Sequence, residues 1–307
     1  MTLGNTTDHS PLENRGSSPR TTRNVEANDS SRTSLIAPTP SPWGVIWMLA
    51  NREWTRFFRQ RNRVIGGLGQ PILFWLLFGT GMHGAFRAGD GSNFMSFYLP
   101  GTVALILLFT AIFTTISIIE DRREGFLQNV LVAPVPRWTI AAGKILGGAM
   151  IAWVQACIFV LLAIAVGSLA INFYLLPLIG LMFVAAIGLT ALGVCFAWPM
   201  ESTQGFHAIM NLVLMPLWLL SGAFFPVPMV QSQSPIGQHV MHWVMRCNPI
   251  SYTVSGLRQM MANTPQKLES LWNPSIGLCW LITIAFALIT TLLAIWIIRR
   301  PYRGTLS

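Results

Sequence analysis

The densest set of reactive side chains in this sequence is Glu120-Asp121-Arg122-Arg123-Glu124. Three carboxylates so close together suggest a divalent-cation site or an acid–base pair. Glycoside hydrolysis needs two carboxylates facing each other across a scissile bond, and no such pair occurs outside this cluster. The interleaved Arg122 and Arg123 favour a solvated cluster of ion pairs over a metal site. A second candidate, His239-Val-Met-His-Trp-Val-Met-Arg-Cys247, offers imidazole, thioether and thiol, which suit soft ions. His239 and His242 lie one helical turn apart, but no carboxylate completes the set. An amphipathic helix is the better reading, and no metal site is predicted. Nucleotide chemistry needs a phosphate-cradling GxxxxGK[ST] loop. The two lysines are Lys144, followed by Ile145 with Trp138 at the position of the first glycine, and Lys267, preceded by Gln266. The loop is absent, so no catalytic residue is assigned and no cofactor is expected on this chain.

The elements around these residues are those of a membrane protein. Hydrophobic residues make up 52% of the chain and charged ones 10%, against about 25% charged in a typical soluble domain. From Ile65 onward the acids are Asp90, Glu120, Asp121, Glu124, Glu201 and Glu269, and long stretches between them carry no charge. That suits lipid as solvent, because an ion in hydrocarbon is costly. The predicted fold class is an all-α membrane protein with six transmembrane helices. The spans fall at about 64–82, 95–119, 145–166, 174–198, 207–225 and 275–298, each of them about the length that crosses hydrocarbon. The uncharged stretch from Ile145 to Met200 is too long for one span and is divided by a turn near Gly167–Asn172. With no carboxylate inside a span, no proton relay is predicted. Residues 1–42 read as a disordered cytoplasmic tail without a signal peptide, and 304–307 as a short tail. Between them and the first span, residues 43–62 read as an interfacial helix. Trp47, Trp54 and Phe57 supply its apolar face, and Arg52, Arg56 and Arg59 lie opposite, toward lipid phosphates.

The net charge of +9 does not signal nucleic acid, because the basic residues gather at the ends of apolar runs. With six spans, both termini and the 120–144 loop share one face that holds most of the lysines and arginines. That face is expected to be cytoplasmic, placing the chain in the cytoplasmic (inner) membrane as a multi-pass protein. In the 120–144 loop, Phe126, Leu127, Val130 and Leu131 form one apolar strip, ended by Pro134-Val-Pro136 and Arg137. Such a helix either lies on the membrane or inserts into a groove on a soluble partner; the pattern alone leaves both open.

At this loop the sequence resembles the membrane subunit of ABC-2 type exporters, near the daunorubicin-resistance permeases. The matching residues are Asp121, Arg122, Gly125, Phe126, Leu127, Leu131, Ala133, Pro134, Arg137, Gly143 and Lys144. Three further segments agree in order: Tyr98-Leu-Pro-Gly101, Pro216 to Pro226, and Asn248 to Arg258. Gln128-Asn129 and Ser255 depart from the usual residues. The resemblance covers about 43–303 and implies an ABC-2 type transmembrane domain. It implies that the 120–137 loop is a coupling helix docking on a separate ABC ATPase, with Arg123 and Glu124 inside it. It also implies two ATPase copies that carry the ATP and Mg, and a homodimer or a heterodimer with a second permease. Short re-entrant or interfacial helices are implied on the outer side between spans five and six. The expected cargo is hydrophobic or amphipathic (a drug, a lipid or a lipid-linked glycan). Phe109, Phe113, Trp218, Phe224 and Phe225 are candidate walls of its path, although helix packing is the favoured account of such aromatics. The alternatives are an ion-coupled secondary transporter and a non-transporting membrane assembly subunit.

Overall fold

The computed structural model describes residues 41–81, 94–132, 134–228, 230, 234–262 and 272–300. Of the tails expected at 1–42 and 304–307, residues 1–40 and 304–307 lie outside the described residues, while Ser41 and Pro42 already belong to the first helix. Ser41 opens the first helix, α1 (Pro42–Arg59): its Oγ accepts from the Gly44 amide at 3.2 Å, and Pro42 occupies the first turn. The break at Gln60 separates α1 from α2 (Arg61–Gly81), which runs through Pro71 without interruption. Then follow α3 (Phe94–Thr114), α4 (Ile116–Arg123), α5 (Phe126–Val132), α6 (Arg137–Ala165), α7 (Leu175–Ala197) and α8 (Thr203–Leu219). Finally come α9 (Ile236–Cys247), α10 (Pro249–Met261) and α11 (Ile276–Arg299).

Among the described residues, five stretches are long and apolar enough to cross a bilayer: Val64–Gly81, Phe94–Arg123, Arg137–Ala165, Leu175–Ala197 and Ile276–Arg299. Two differ from the sequence expectation in a way that matters. The second span does not stop at Ile119. After a single turn at Thr115, where the Ile118 amide reaches the Thr115 carbonyl at 3.0 Å, α4 prolongs α3 to Arg123 and carries Glu120 and Asp121 with it. The helix α6 begins at Arg137 and not near Ile145, so Lys144 lies inside a helix.

The span expected at 207–225 is the shorter α8, 17 residues long. A helix of that length rises about 26 Å, a little under the hydrocarbon thickness. Yet α8 and the residues just ahead of it lie along α3–α4 from Arg122 to Gly101. At one end Arg122 donates to the carbonyls of Trp198 and Met200, just ahead of α8; at the other, Trp218 Nε1 donates to the Gly101 carbonyl at 2.9 Å. The helix stops because the chain turns at Gly222, whose φ of 77° is left-handed. The residues after that turn pack as non-helical chain, with Ala223 against the Gly101 backbone.

The centre of the bundle is α3, buried on nearly every face and surrounded by α2, α6, α7 and α10. Without a hydrophobic drive between helices in lipid, close packing and hydrogen bonds hold them. Outside the long helices, α10 is fixed by Asn248, which caps it through the Ile250 amide (3.0 Å) and donates to the Leu217 carbonyl (2.6 Å). Arg258 donates to the Gly222 carbonyl at 2.7 Å and lies over the Phe97 ring at 4.4 Å. Two of the segments that carried the resemblance, 216–226 and 248–258, therefore pack on each other.

Candidate coupling site and cavity

On α1, the residues Ile46, Leu49, Ala50, Glu53 and Phe57 recur every three or four positions and are buried. Glu53 puts one carboxylate into that apolar stripe. The stripe lies on α6, where two glycines let the backbones approach. A Cβ at Gly143 would stand 2.7 Å from Leu49 Cβ, and one at Gly147 would stand 2.9 Å from Glu53 Cβ. This approach brings Lys144 of α6 to Glu53 of α1: Nζ donates to Oε1 at 2.5 Å.

Asp121, completely buried on α4, is the centre of the group. Arg52 grips it with both terminal nitrogens, Nη1 to Oδ2 at 2.9 Å and Nη2 to Oδ1 at 2.7 Å. Arg56 adds Nη1 to Oδ1 at 2.8 Å. Lys144 Nζ completes the set by donating to Asp121 Oδ2 and, at 3.2 Å, to Ser117 Oγ. At the rim, the second Nη of Arg56 lies 2.9 Å from Glu120 and 3.2 Å from Glu124. The inner part balances: Asp121 and Glu53 carry the charge that Lys144 and Arg52 neutralise. Buried ions are tolerated only when paired in this way. Burial works against the Arg52 cation, but its hydrogen bonds to Asp121 and the attraction of that carboxylate outweigh it and raise its pKa.

This arrangement corrects two expectations. The acidic cluster is solvated only at its rim: α4 extends the second span and carries Asp121 inside, while Arg123 and Glu124 stay exposed. Arg52 and Arg56 face carboxylates and not lipid phosphates. Arg59 and Trp47 are exposed, and Trp54 packs at a tilt against Phe58, 4.6 Å between ring centres.

The expected coupling helix is α5. Gly125, with φ of 76°, turns the chain from α4 into it. Its inner edge belongs to the ion group: the Arg52 guanidinium lies 3.7 Å above the Phe126 ring, and Leu127 is buried. Its outer edge is open, with Val132 and Pro134 exposed. The side chain of Leu131 lies outside the described residues. The remaining arginines serve helix ends. Arg122 caps the end of α7, Arg123 Nε donates to the Glu201 carbonyl at 3.2 Å, and Arg137 Nη1 donates to the Arg299 carbonyl of α11 at 3.3 Å.

Above this group lies a cavity of about 390 Å³. Phe109, Phe113 and Trp218 line it, with Gln70, Gln155 and His207. Phe224 is not in this wall. It belongs to an aromatic cluster with Phe78, Phe94 and Tyr98, and Phe225 is exposed. Trp218 joins the two groups, its ring 6.4 Å from that of Phe224.

Three participants carried signals that sequence reading passed over. Glu53 is a carboxylate on an apolar stripe, Lys144 a single cation at the head of an apolar run, and Gln155 a single amide in the middle of one. In the other candidate cluster, His242 Nδ1 sits 2.8 Å from the Pro228 carbonyl. Among the described residues, no three His, Cys, Asp or Glu side chains gather as a metal would need.

Residues 44–262 match the family described as ABC-2 type transporter. A putative transport permease of Cyanophora paradoxa is 24% identical over 264 residues, 81% of this chain and 87% of that protein. A daunorubicin resistance ABC transporter permease of Streptomyces coeruleorubidus is 27% identical over 216 residues, 68% of this chain and 70% of its own. A probable multidrug ABC transporter permease of Escherichia coli is 28% identical over 184 residues, and the match spans 58% of this chain and 46% of that protein.

Proposed function

The chain belongs to the ABC-2 type transporter family, and from that premise we propose that it is the permease subunit of an ATP-driven exporter moving a hydrophobic or amphipathic cargo out of the cytoplasm. It is a multi-pass membrane permease, and its family implies an ABC ATPase subunit as partner. The proposal adds two ATPase copies holding ATP and Mg, a second permease of the same or a related kind, and residence in the inner membrane with cytoplasmic termini. Relatives named for multidrug and daunorubicin resistance support an amphipathic cargo.

The observation that carries the reading is the ion group around Asp121. A push on the open edge of α5 meets Phe126, which touches Arg52. Arg52 holds Asp121, and Asp121 holds Lys144. The helices α5, α1, α4 and α6 therefore move as one lever, and α3 and α6 are walls of the cavity. Ion coupling is the weaker reading: among the described residues, the buried carboxylates Glu53 and Asp121 are both held by cations.

The test is co-purification with candidate ATPases, followed by ATP turnover and cargo export in liposomes. Replacing Gly125 by Pro, or deleting 126–131, should abolish export while membrane insertion persists. Undiminished ATP-driven export by either variant refutes the lever.

A further inference from the structure

Gln155 is 1% exposed, and its side chain sits at the wall of the cavity between α2, α3 and α6. Thr110 Oγ1 donates to its Oε1 at 2.6 Å, which occupies one end of the amide. The amide lies flat against Gly67, where a Cβ would come within 3.2 Å of Nε2. That nitrogen has no hydrogen-bond partner. An unmet N–H donor in so apolar a place is costly; Nε2 is closed off in the cavity wall, and a small turn of the Gln155 side chain toward the cavity lets a ligand oxygen remove that cost.

From this we infer that the cavity is a binding site for an uncharged, largely aromatic or apolar molecule whose carbonyl oxygen accepts from Gln155 Nε2. The inference rests on the cavity being part of the cargo path and specifies what that path recognises. Phe109, Phe113 and Trp218 offer ring faces to a flat apolar body. The volume of about 390 Å³ lies in the range of sites for drug-sized ligands. No Asp, Glu, Lys or Arg among the described residues lines the cavity. A charged group would enter without a counter-ion, so the acceptor is neutral.

The probe is benzophenone, a neutral diaryl ketone that photolabels the groups it touches. The full-length chain is labelled in lipid nanodiscs and the labelled peptides are mapped by mass spectrometry. Fluorenone and fluorene compete; they share one shape and differ in a single carbonyl. Labelling should fall on the α3 segment with Phe109 and Phe113 and on the α8 segment with His207. Fluorenone should compete roughly five- to tenfold better than fluorene, the factor one hydrogen bond supplies. The difference should vanish in Gln155→Leu and shrink in Thr110→Val, which frees the amide to turn. The second variant serves if the first does not fold. Equal competition on the native chain, or a ketone preference that survives Gln155→Leu, overturns the inference. Labelling that misses these segments also overturns it. If such a chain still exports cargo with its ATPase, the permease reading stands and only this recognition rule falls.

Discussion

Asp121 accepts hydrogen bonds from three cations on two helices while it is itself fully buried on a third. Such a group is fragile toward the loss of one member, because the others are then left charged and unpaired. We expect Asp121→Asn to destabilise the chain by about 3–5 kcal/mol, the usual cost of breaking a buried pair. Its Tm in nanodiscs should fall clearly. Removing both charges in Asp121→Leu/Lys144→Met should recover much of that loss. A double variant less stable than the single one would mean that the pairing is not what holds these helices. Trp218→Phe tests a second buried contact. It keeps an aromatic ring but removes the indole N–H donor; the Gly101 carbonyl, inside α3, keeps its helix bond, so about 0.5–1.5 kcal/mol should be lost. A Tm equal to that of the native chain would show that the end of α8 does not depend on this bond.

Among the elements, the joint between α1 and α6 matters most, because it places Lys144 beside Glu53. Gly147→Leu leaves no room for α1, since even a Cβ there would be 3.1 Å from Ala50 Cα. The helix α1 should lift, and trypsin should cut after Arg52 and Arg56 faster than in the native chain. ATP-driven export should fall while insertion remains. Unchanged digestion would place the strength of the joint elsewhere. Much of this architecture could be read beforehand. The periodicity of α1 and α5 and the long apolar runs gave the helices. The extension of α3 into α4 could not be read that way: the charges at Glu120 and Asp121 look like the end of an apolar span until their partners are known. Those partners stand 65 and 69 residues away on α1, a pairing that no local pattern encodes. The end of α8 was misplaced because the apolar run continues past Leu219, while the left-handed turn at Gly222 stops the helix. The cavity arises from helices distant in sequence; Phe109, Phe113 and Trp218 could be named beforehand as candidates for its wall, while the single amide of Gln155 was passed over.

At the scale of the whole molecule, charge is divided between two ends. One end holds the Asp121 group, the Arg122 cap on α7 and the bond from Arg137 to the last turn of α11. At the other, the turn after α6 faces α10, with Asn172 donating to the Met260 carbonyl at 3.4 Å. Arg246 and Arg258 are the described cations of that region. A membrane protein keeps its basic end in the cytoplasm, and an ATP-driven lever must face the compartment that holds ATP. On the proposed function, both arguments predict that α5 and the end of α11 face inward together, since Arg137 ties the start of α6 to Arg299. A phosphatase reporter, active only outside the cytoplasm, should be silent when fused after Ser307 and active when fused after Asn172. The reversed pattern would put α5 on the side without ATP. No motion of α1, α4 and α6 could then be driven through Phe126, however well the ion group holds them together.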